Sequence, residues 1–240
     1  MKARLSLVAI LLVLVLPASA QTADQWIARA RARLASESTL EGLTSVRYTG
    51  TIEFEGTPAR TMDIIFQKPL QHRITLSGPE LVEVMALDGY DGWQKRSNPK
   101  NPTQWQLTLL DAKQIKRLRA QAWDNLNFLR HIEKMNGSVK VAGDETVDGV
   151  ACVKLVFSYY DMITLTRYYD KSTARLVKTV TENGVEIREE GEVFAGGIRF
   201  PKKVTNREKG GRTVVMTFDK IAVNESYPAA DFAVPAVSAN

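Results

Sequence analysis

Few side chains of this chain have the types and spacing that catalysis or metal binding requires. Its 240 residues contain two histidines, His72 and His131, and a single cysteine, Cys152. A zinc site needs three or four converging ligands, and neither histidine has a partner at a ligand spacing. Cys152 lies between Ala151 and Val153 in a run typical of a buried strand, where cysteine behaves as a small hydrophobe. We therefore expect no resident metal, no cofactor and no intrachain disulfide.

The sequence also lacks signatures of common hydrolases and nucleotide enzymes. It contains no nucleophile elbow (Gly-x-Ser-x-Gly) and no P-loop. Glu189, Glu190 and Glu192 belong to an alternating strand pattern, which is typical of solvated carboxylates. Glycosidases place two carboxylates across a cleft, and such a pair can come from distant parts of a chain. We predict that the protein is not an enzyme, with a secreted hydrolase that uses scattered carboxylates as a minor alternative.

Apolar side chains on predicted strands and on one predicted helix form a more informative set. A hydrophobic core is the commoner role of such residues, and the lining of a cavity for an apolar ligand is the other. Acyl chains suit such a cavity because each buried methylene contributes about 0.8 kcal/mol. A sixteen-carbon chain then contributes on the order of 10 kcal/mol before ordering costs are subtracted. The residues that we predict to line this cavity are Tyr48, Phe54, Ile64, Phe66, Trp93, Trp105, Leu118, Trp123, Leu126, Phe157, Phe194 and Phe218.

Two amphipathic helices are predicted to position part of this set. Each begins with a capping box, formed by Thr22 with Gln25 and by Asp111 with Gln114. Apolar residues then recur at helical spacing, at positions 26, 27, 30 and 34 and at positions 115, 118, 122, 126 and 129. We expect the first helix to end by Gly42 and the second to extend over residues 111–131.

The remainder of the chain alternates apolar and polar residues in the manner of antiparallel strands. Turn signals at residues 56–58, 78–79, 88–89, 147–149, 170–173, 182–184, 195–197 and 208–211 separate them. A sheet of this size does not stay flat, and its concave side needs cover. The sequence therefore predicts a mainly β (α+β) fold, an unclosed and strongly curled antiparallel half-barrel of about ten or eleven strands. The two amphipathic helices are expected to cover its concave face.

The N-terminus has the layout of a secretory signal. Lys2 and Arg4 precede an apolar run at positions 5–16, and small residues follow up to Ala20. The run is too short to span a bilayer, although an uncleaved anchor stays open as an alternative. Gln21 occupies the first mature position, where a bacterial lipoprotein needs a cysteine. We expect cleavage after residue 20, one domain over residues 21–240, and a soluble periplasmic monomer without a transmembrane anchor.

The charge of the chain argues against nucleic acid as a partner. The formal net charge is +5, and removal of Lys2 and Arg4 leaves 5 − 2 = +3. This excess is mild and is not gathered into a basic block, which a nucleic-acid footprint requires.

Several short motifs, taken in their order along the chain, resemble LolA-like outer-membrane lipoprotein-sorting proteins. Each motif is mostly turn chemistry, and the likeness extends over nearly the whole mature chain. The motifs of the first half are residues 66–69 (Phe-Gln-Lys-Pro), His72-Arg73, Asp88-Gly89 and Gly92-Trp93, followed by the leucine-rich helix. Those of the second half are residues 169–173, 176–178 and 197–201, Asn224, and residues 232–235.

This resemblance implies an unclosed antiparallel barrel whose hydrophobic concavity is capped by helices. Proteins of the family take a lipoprotein from an inner-membrane transporter, hold its acyl chains without catalysis, and pass it to an outer-membrane receptor. A lid arginine that binds backbone carbonyls belongs to the family pattern, and Arg47 and Arg60 are the residues considered for it here. The chain lacks the family's Tyr-Asp pair after Trp93. The resemblance therefore favours a general carrier of lipid or lipoprotein over the dedicated sorting chaperone.

A second class of function fits the same predicted shape. A periplasmic sensor or regulatory domain would bind an extended peptide or a membrane-protein partner through an edge of the sheet. Lipid retained by the purified protein distinguishes the carrier from this alternative.

Overall fold

This computed structural model describes residues 21–236 of the chain, and they contain fifteen strands and three α-helices. The predicted signal segment, residues 1–20, lies outside the described residues. The helices are α1 (Ala23–Leu34), α2 (Glu37–Glu41) and α3 (Ala112–Asn127). The strands are β1 (Ser45–Phe54), β2 (Arg60–Gln67), β3 (Gln71–Ser77), β4 (Val82–Asp88), β5 (Asp91–Asn98), β6 (Asn101–Leu109), β7 (Ser138–Val147), β8 (Val150–Tyr159), β9 (Ile163–Asp170), β10 (Leu176–Thr181), β11 (Glu186–Glu190), β12 (Val193–Ala195), β13 (Ile198–Phe200), β14 (Lys203–Arg207) and β15 (Thr213–Val223).

Both predicted capping boxes are present. The Thr22 amide donates to Gln25 Oε1 at 2.8 Å, and the Asp111 amide donates to Gln114 Oε1 at 2.9 Å. In each box the side chain of the first residue accepts a bond in return, so that two otherwise unpaired amides are satisfied. These contacts explain why α1 and α3 begin where the sequence indicates.

The first helical segment ends by Gly42 as predicted but is divided in two, and the second helix is shorter than predicted. Residues 23–41 form two helices because Ala35 is extended and the Ser36 side chain accepts from the Thr39 amide at 3.2 Å, which starts α2. α3 ends at Asn127, four residues earlier than predicted, because Phe128 takes a left-handed conformation with φ of 44°.

The strands form one large antiparallel sheet and a small hairpin. Thirteen strands follow the order β6-β5-β4-β3-β2-β1-β15-β14-β11-β10-β9-β8-β7, and β12 pairs with β13. The prediction of a mainly β, antiparallel and unclosed sheet is confirmed, since β6 and β7 each pair on one side within the described sheet. The predicted count of ten or eleven strands is wrong. One turn that the sequence does not predict joins β8 to β9. Tyr160 and Asp161 have φ of 52° and 58° there, although neither is glycine.

Register places one face of the sheet around a common core, and we call it the inner face. Tyr48 on β1 lies opposite Ile64 on β2 and Ile221 on β15, and all three are buried. Phe157 on β8, far from β2 in the strand order, belongs to the same buried cluster. The sheet therefore curls until distant strands share one interior.

A bulge in β15 contributes to this curl. Thr49 and Gly50 of β1 pair with Lys220 and Phe218, so Asp219 is the extra residue of β15. A Cβ at Gly50 would lie 1.9 Å from the Thr217 carbonyl oxygen, so only glycine fits there.

Helices α1 and α3 pack on the inner face. α3 crosses β1 to β5, and α1 contacts β7 and β13. Trp26, Ile27 and Ala30 of α1 and Ala122 and Leu126 of α3 enter the core cluster. The inner face is thus the surface that these helices cover, and it is the natural place for a site.

Candidate functional site on the inner face

Eight of the twelve predicted cavity residues lie together on or against the core of the inner face. Six of them are buried and two are half-buried against the same cluster. The buried six are Tyr48, Ile64, Phe66, Leu126, Phe157 and Phe218, and the half-buried two are Phe54 and Trp123.

The other four residues lie elsewhere. Leu118 packs in a separate cluster with Leu87 and Leu110. Trp93 faces the outside of the sheet, where its Nε1 donates to the Phe232 carbonyl at 2.8 Å beneath the C-terminal segment. Trp105 and Phe194 are 42% and 62% exposed. The structure does not bring these four side chains together with the other eight.

Aromatic rings fill the covered part of the inner face. The ring of Tyr48 lies 5.0 Å from Phe218, 5.8 Å from Phe200 and 6.2 Å from Phe66, measured between centroids. Burial raises the pKa of the Tyr48 hydroxyl well above its usual value. This part is packed as a core, and a ligand reaches it only if a covering element moves.

The inner face continues beyond the core as a half-buried apolar surface, which we call the open patch. Its side chains come from strands β1, β9, β11, β14 and β15 and share the register of the inner face. The open patch consists of Phe54, Leu165, Ile187, Val204, Val214 and Met216.

Two surface depressions are small and lie outside the helix-covered region. One of about 260 Å³ is lined by residues that include Leu81, Arg96 and Trp105, at the β6 edge of the sheet. The other, of about 240 Å³, is lined by residues that include Glu186, Arg188 and Arg207, on the outer face. Binding pockets for small molecules typically measure ~300–1,000 Å³. Neither depression has the size or the apolar lining that an acyl chain needs.

Arg31 fastens the C-terminal end of α3 to α1. Its Nη1 donates to the carbonyls of Asn127 and Phe128 at 2.8 and 2.7 Å, and its Nη2 donates to Glu37 at 2.7 Å and to Glu41 at 3.2 Å. Arg31 is 1% exposed. Carbonyls in the last turn of a helix lack partners within it and attract cations, so this arginine stabilises the end of α3.

The two arginines considered as a lid arginine have other partners. Arg47 pairs with Asp63 at 2.6 Å on the outer face. Arg60 donates to Glu83 at 2.8 Å and to the Leu76 carbonyl at 3.0 Å. Arg31 instead binds the carbonyls at the C-terminal end of α3. It occurs four residues after Ile27, within the apolar stripe of α1, and that position is the signal that could have identified it.

A buried ion pair joins the middle of α3 to the sheet. Arg167 on β9 donates through Nη2 to Asp124 Oδ2, and the Tyr159 hydroxyl donates to Asp124 Oδ1 at 2.9 Å. The guanidinium lies 4.6 Å from the centroid of the Phe157 ring. Burial by itself lowers the pKa of Arg167, but the Asp124 carboxylate outweighs it and the net pKa is raised. Arg167 is therefore a charged group in a largely apolar region, and Asp124 is its partner.

Two further arginines attach the N-terminal half of α3 to turns of the sheet. Arg119 donates to the Tyr160 hydroxyl at 3.0 Å and to the Gly89 carbonyl, and its guanidinium lies 3.8 Å from the centroid of the Tyr90 ring. Arg117 pairs with Glu182 in the turn between β10 and β11. α3 is thus held to both halves of the curled sheet by polar contacts.

The residues considered for metal or thiol chemistry are placed apart. His72 is buried and stacks on Phe66 at 4.2 Å between centroids, and burial lowers its pKa to about 3. His131 lies in an exposed turn, 3.6 Å from Glu133. Cys152 is buried in an outer-face cluster, and burial raises its pKa. In residues 21–236 no group of three or more metal-binding side chains comes together, and no helix is long and apolar enough to cross a membrane.

Comparison with known proteins identifies the fold. No family model matches the chain, and no curated protein matches it. A LolA superfamily protein from Nitrosomonas europaea is similar in structure, with a TM-score of 0.59, 16% identity, and 90% of this chain and 99% of that chain covered. A DUF1329 family protein from Desulfovibrio piger is also similar, with a TM-score of 0.57 and 12% identity, and the match covers 88% of this chain and 96% of that chain. A domain from Vibrio parahaemolyticus described as outer membrane lipoprotein-sorting has a TM-score of 0.56 and 11% identity, and the match covers 86% of this chain and 95% of that chain. The chain has a LolA-like fold.

Proposed function

We propose that this protein is a non-enzymatic carrier that holds acyl chains of lipids or lipoproteins on the inner face of its sheet. The observation that carries the proposal is a largely apolar inner face, part of which is covered by a helix attached through polar contacts. Arg31, Arg117, Arg119 and Asp124 supply these contacts.

The chemistry of the covering contacts supports reversible opening. Polar groups released by movement of α3 regain hydrogen bonds with water, so each lost charge-assisted contact costs only about 1.5–3 kcal/mol net. The apolar face beneath α3 has no such replacement, because water does not satisfy it. An acyl chain that takes the place of α3 restores the burial, at about 0.8 kcal/mol per methylene.

The place of action and the partners are part of the proposal. The layout of residues 1–20 supports export to the periplasm and a soluble carrier after cleavage. One solved structure of the same fold carries lipoprotein sorting in its description, which supports lipoproteins among the cargo. An inner-membrane transporter and an outer-membrane receptor are the partners that such a shuttle requires, and the carrier works as a monomer.

The direct experiment is mass spectrometry of organic extracts from natively purified protein, together with titration by a fluorescent fatty acid. Met216→Glu places a carboxylate in the open patch, and we expect it to weaken binding about tenfold or more, since a charge beside an acyl chain loses hydration. Thr217→Glu is the matched control, because the neighbouring residue of β15 faces outward next to Lys203. Absence of lipid from the extracts together with equal binding by the two variants would refute the proposal.

A second candidate function rests on the free edge of the sheet. β6 is an edge strand of the described sheet and exposes Trp105 and Leu109. An extended peptide can add to such an edge. A sensor of this kind would bind a peptide without retaining lipid, and Leu109→Lys would weaken that binding because lysine on an edge strand opposes further pairing.

A further inference from the structure

The ion pair between Arg167 and Asp124 is the most unusual polar feature of the inner face. Arg167 is 6% exposed, and its neighbours across the sheet are Leu155 on β8 and Thr179 on β10. Its Nη1 is buried and has no hydrogen-bond partner among the described residues. A charged group in such surroundings is normally saturated with hydrogen bonds, because dehydration of each unsatisfied donor is costly.

We propose that Arg167 binds the anionic headgroup of the acyl ligand, a carboxylate or a phosphate, in competition with Asp124 of α3. This inference rests on the proposed carrier function and names its substrate class. The carrier would prefer anionic amphiphiles over neutral lipids of the same chain length.

The geometry of the guanidinium favours such a ligand. Arginine presents parallel donors that match two oxygens of a carboxylate or phosphate. Asp124 uses one oxygen for Arg167 Nη2 and turns the other to the Tyr159 hydroxyl, so it does not occupy the full donor edge. An anion that is free to orient can engage Nη1 as well, and it therefore has a bond that Asp124 does not make.

The open patch gives the ligand a place for its chain next to this donor. Leu165 of the open patch lies two residues from Arg167 on the same face of β9, and Ile187 lies opposite Thr179. Glu189 lies on the same face of β11, where desolvation raises the pKa of its carboxyl group against the opposing charge of Arg167. A carboxyl group with a raised pKa repels an approaching anion less than an ordinary glutamate.

The competition would couple binding to release of α3. Asp124 lies on α3, whereas Arg167 and Tyr159 lie on strands. A headgroup that takes Arg167 removes the buried partner of Asp124, whose carboxylate is then stabilised by hydration when α3 moves outward. The ligand binds the displaced arrangement more tightly than the closed one, which is the condition for a shift in population.

Other arginines that contact α3 do not have this property. Arg31 donates to two carbonyls and two carboxylates, and Arg119 donates to a carbonyl and a hydroxyl. Arg167 alone among these three combines near-complete burial with an unsatisfied guanidinium nitrogen. This difference selects it as the headgroup site.

The test compares cis-parinaric acid with its methyl ester, which has the same chain and no charge. We expect the wild-type protein to bind the acid at least about tenfold more tightly than the ester. This factor corresponds to the lower end of the range for a charge-assisted hydrogen bond. Arg167→Met should abolish this preference, so that acid and ester bind within about twofold of each other. Arg47→Met, which alters an outer-face arginine, should retain the preference.

Asp124→Asn supplies a second and independent readout, because it removes the competing charge and keeps the shape of the side chain. We expect it to tighten binding of the acid more than that of the ester, because a weaker attachment of α3 favours both ligands but only the acid gains the contact with Arg167. Circular dichroism checks the folding of each variant, and the wild-type preference stands as a test even if a variant fails to fold. Equal wild-type affinities for acid and ester, or a preference that survives Arg167→Met, would overturn the inference and leave the carrier function intact. Binding of neither probe would instead reject the carrier function.

Hydrogen exchange of the α3 amides separates a lipid headgroup from a free anion. Dodecanoate and dodecyl phosphate should increase exchange in α3, whereas acetate and inorganic phosphate at the same concentration should not. An increase with inorganic phosphate alone would assign the site to a free anion and contradict headgroup recognition.

Discussion

The covered part of the inner face and the open patch consist of the same kinds of side chain but differ in what completes them. Tyr48, Phe66 and Leu126 are surrounded by helices and by each other and are buried as a core. Val204 and Met216, on the same face of the same sheet, are only half-buried at the margin of this cluster. The difference shows that the helices complete the burial of one part of the inner face and leave the other part half-buried.

The largest expected effect tests this difference through cavity formation. Leu126→Ala removes a fully buried side chain, and we expect it to lower the free energy of unfolding by about 3 kcal/mol. Met216→Ala in the open patch should cost only about 1 kcal/mol, since part of that side chain is already in water. Urea denaturation measures both values. Equal losses would show that the open patch is as much a part of the core as the covered half.

An intermediate effect is expected from the contact that closes the covered half. Arg31→Met leaves the carbonyls of Asn127 and Phe128 without donors, and we expect a loss of about 2 kcal/mol together with faster hydrogen exchange in α3. The exposed pair of Arg47 and Asp63 is the control, because Arg47→Met should change stability by less than about 1 kcal/mol. If α3 exchanges at the wild-type rate in Arg31→Met, the arginine does not restrain the helix.

The smallest effect concerns acid. The hydrogen bond with Arg31 lowers the pKa of Glu37 below its ordinary value of 4.5, against an opposing effect of burial. Its contribution to stability is therefore complete above the ordinary value and is lost as the pH falls through the pKa of the folded state. We expect α3 to exchange faster below that range and Glu37→Gln to remove this pH-dependent step. Identical pH profiles for wild type and Glu37→Gln would disprove the link.

Local signals in the sequence predict much of the fold. Capping boxes and glycine turns act within a few residues, so Thr22, Asp111 and the glycine-containing hairpins are found where expected. The turn at Tyr160 and Asp161 escapes prediction because its left-handed backbone is adopted without glycine and is held by its surroundings.

The candidate site is harder to predict from the sequence. It depends on which face of the sheet each side chain points to and on contacts between residues that are far apart in the chain. Trp93 lies between Gly92 and Gln94, which give no alternation, so the sequence does not indicate that its side chain faces outward. Asp124 and Arg167 are 43 residues apart, and only the curl of the sheet brings them together. His72 has no sequence feature that announces its burial against Phe66.

The order of the strands determines where the two ends of the segment that contains α3 are attached. β6 and β7 are the two outer borders of the sheet, and the chain passes from one to the other through residues 110–137, which include α3. The covering helix is thus a strap fastened to opposite rims. An outward movement of α3 would leave every strand pairing in place. Its return would carry no new loop-closure entropy, because both ends of the segment stay attached to the sheet. The same connection limits how far β6 and β7 can move apart.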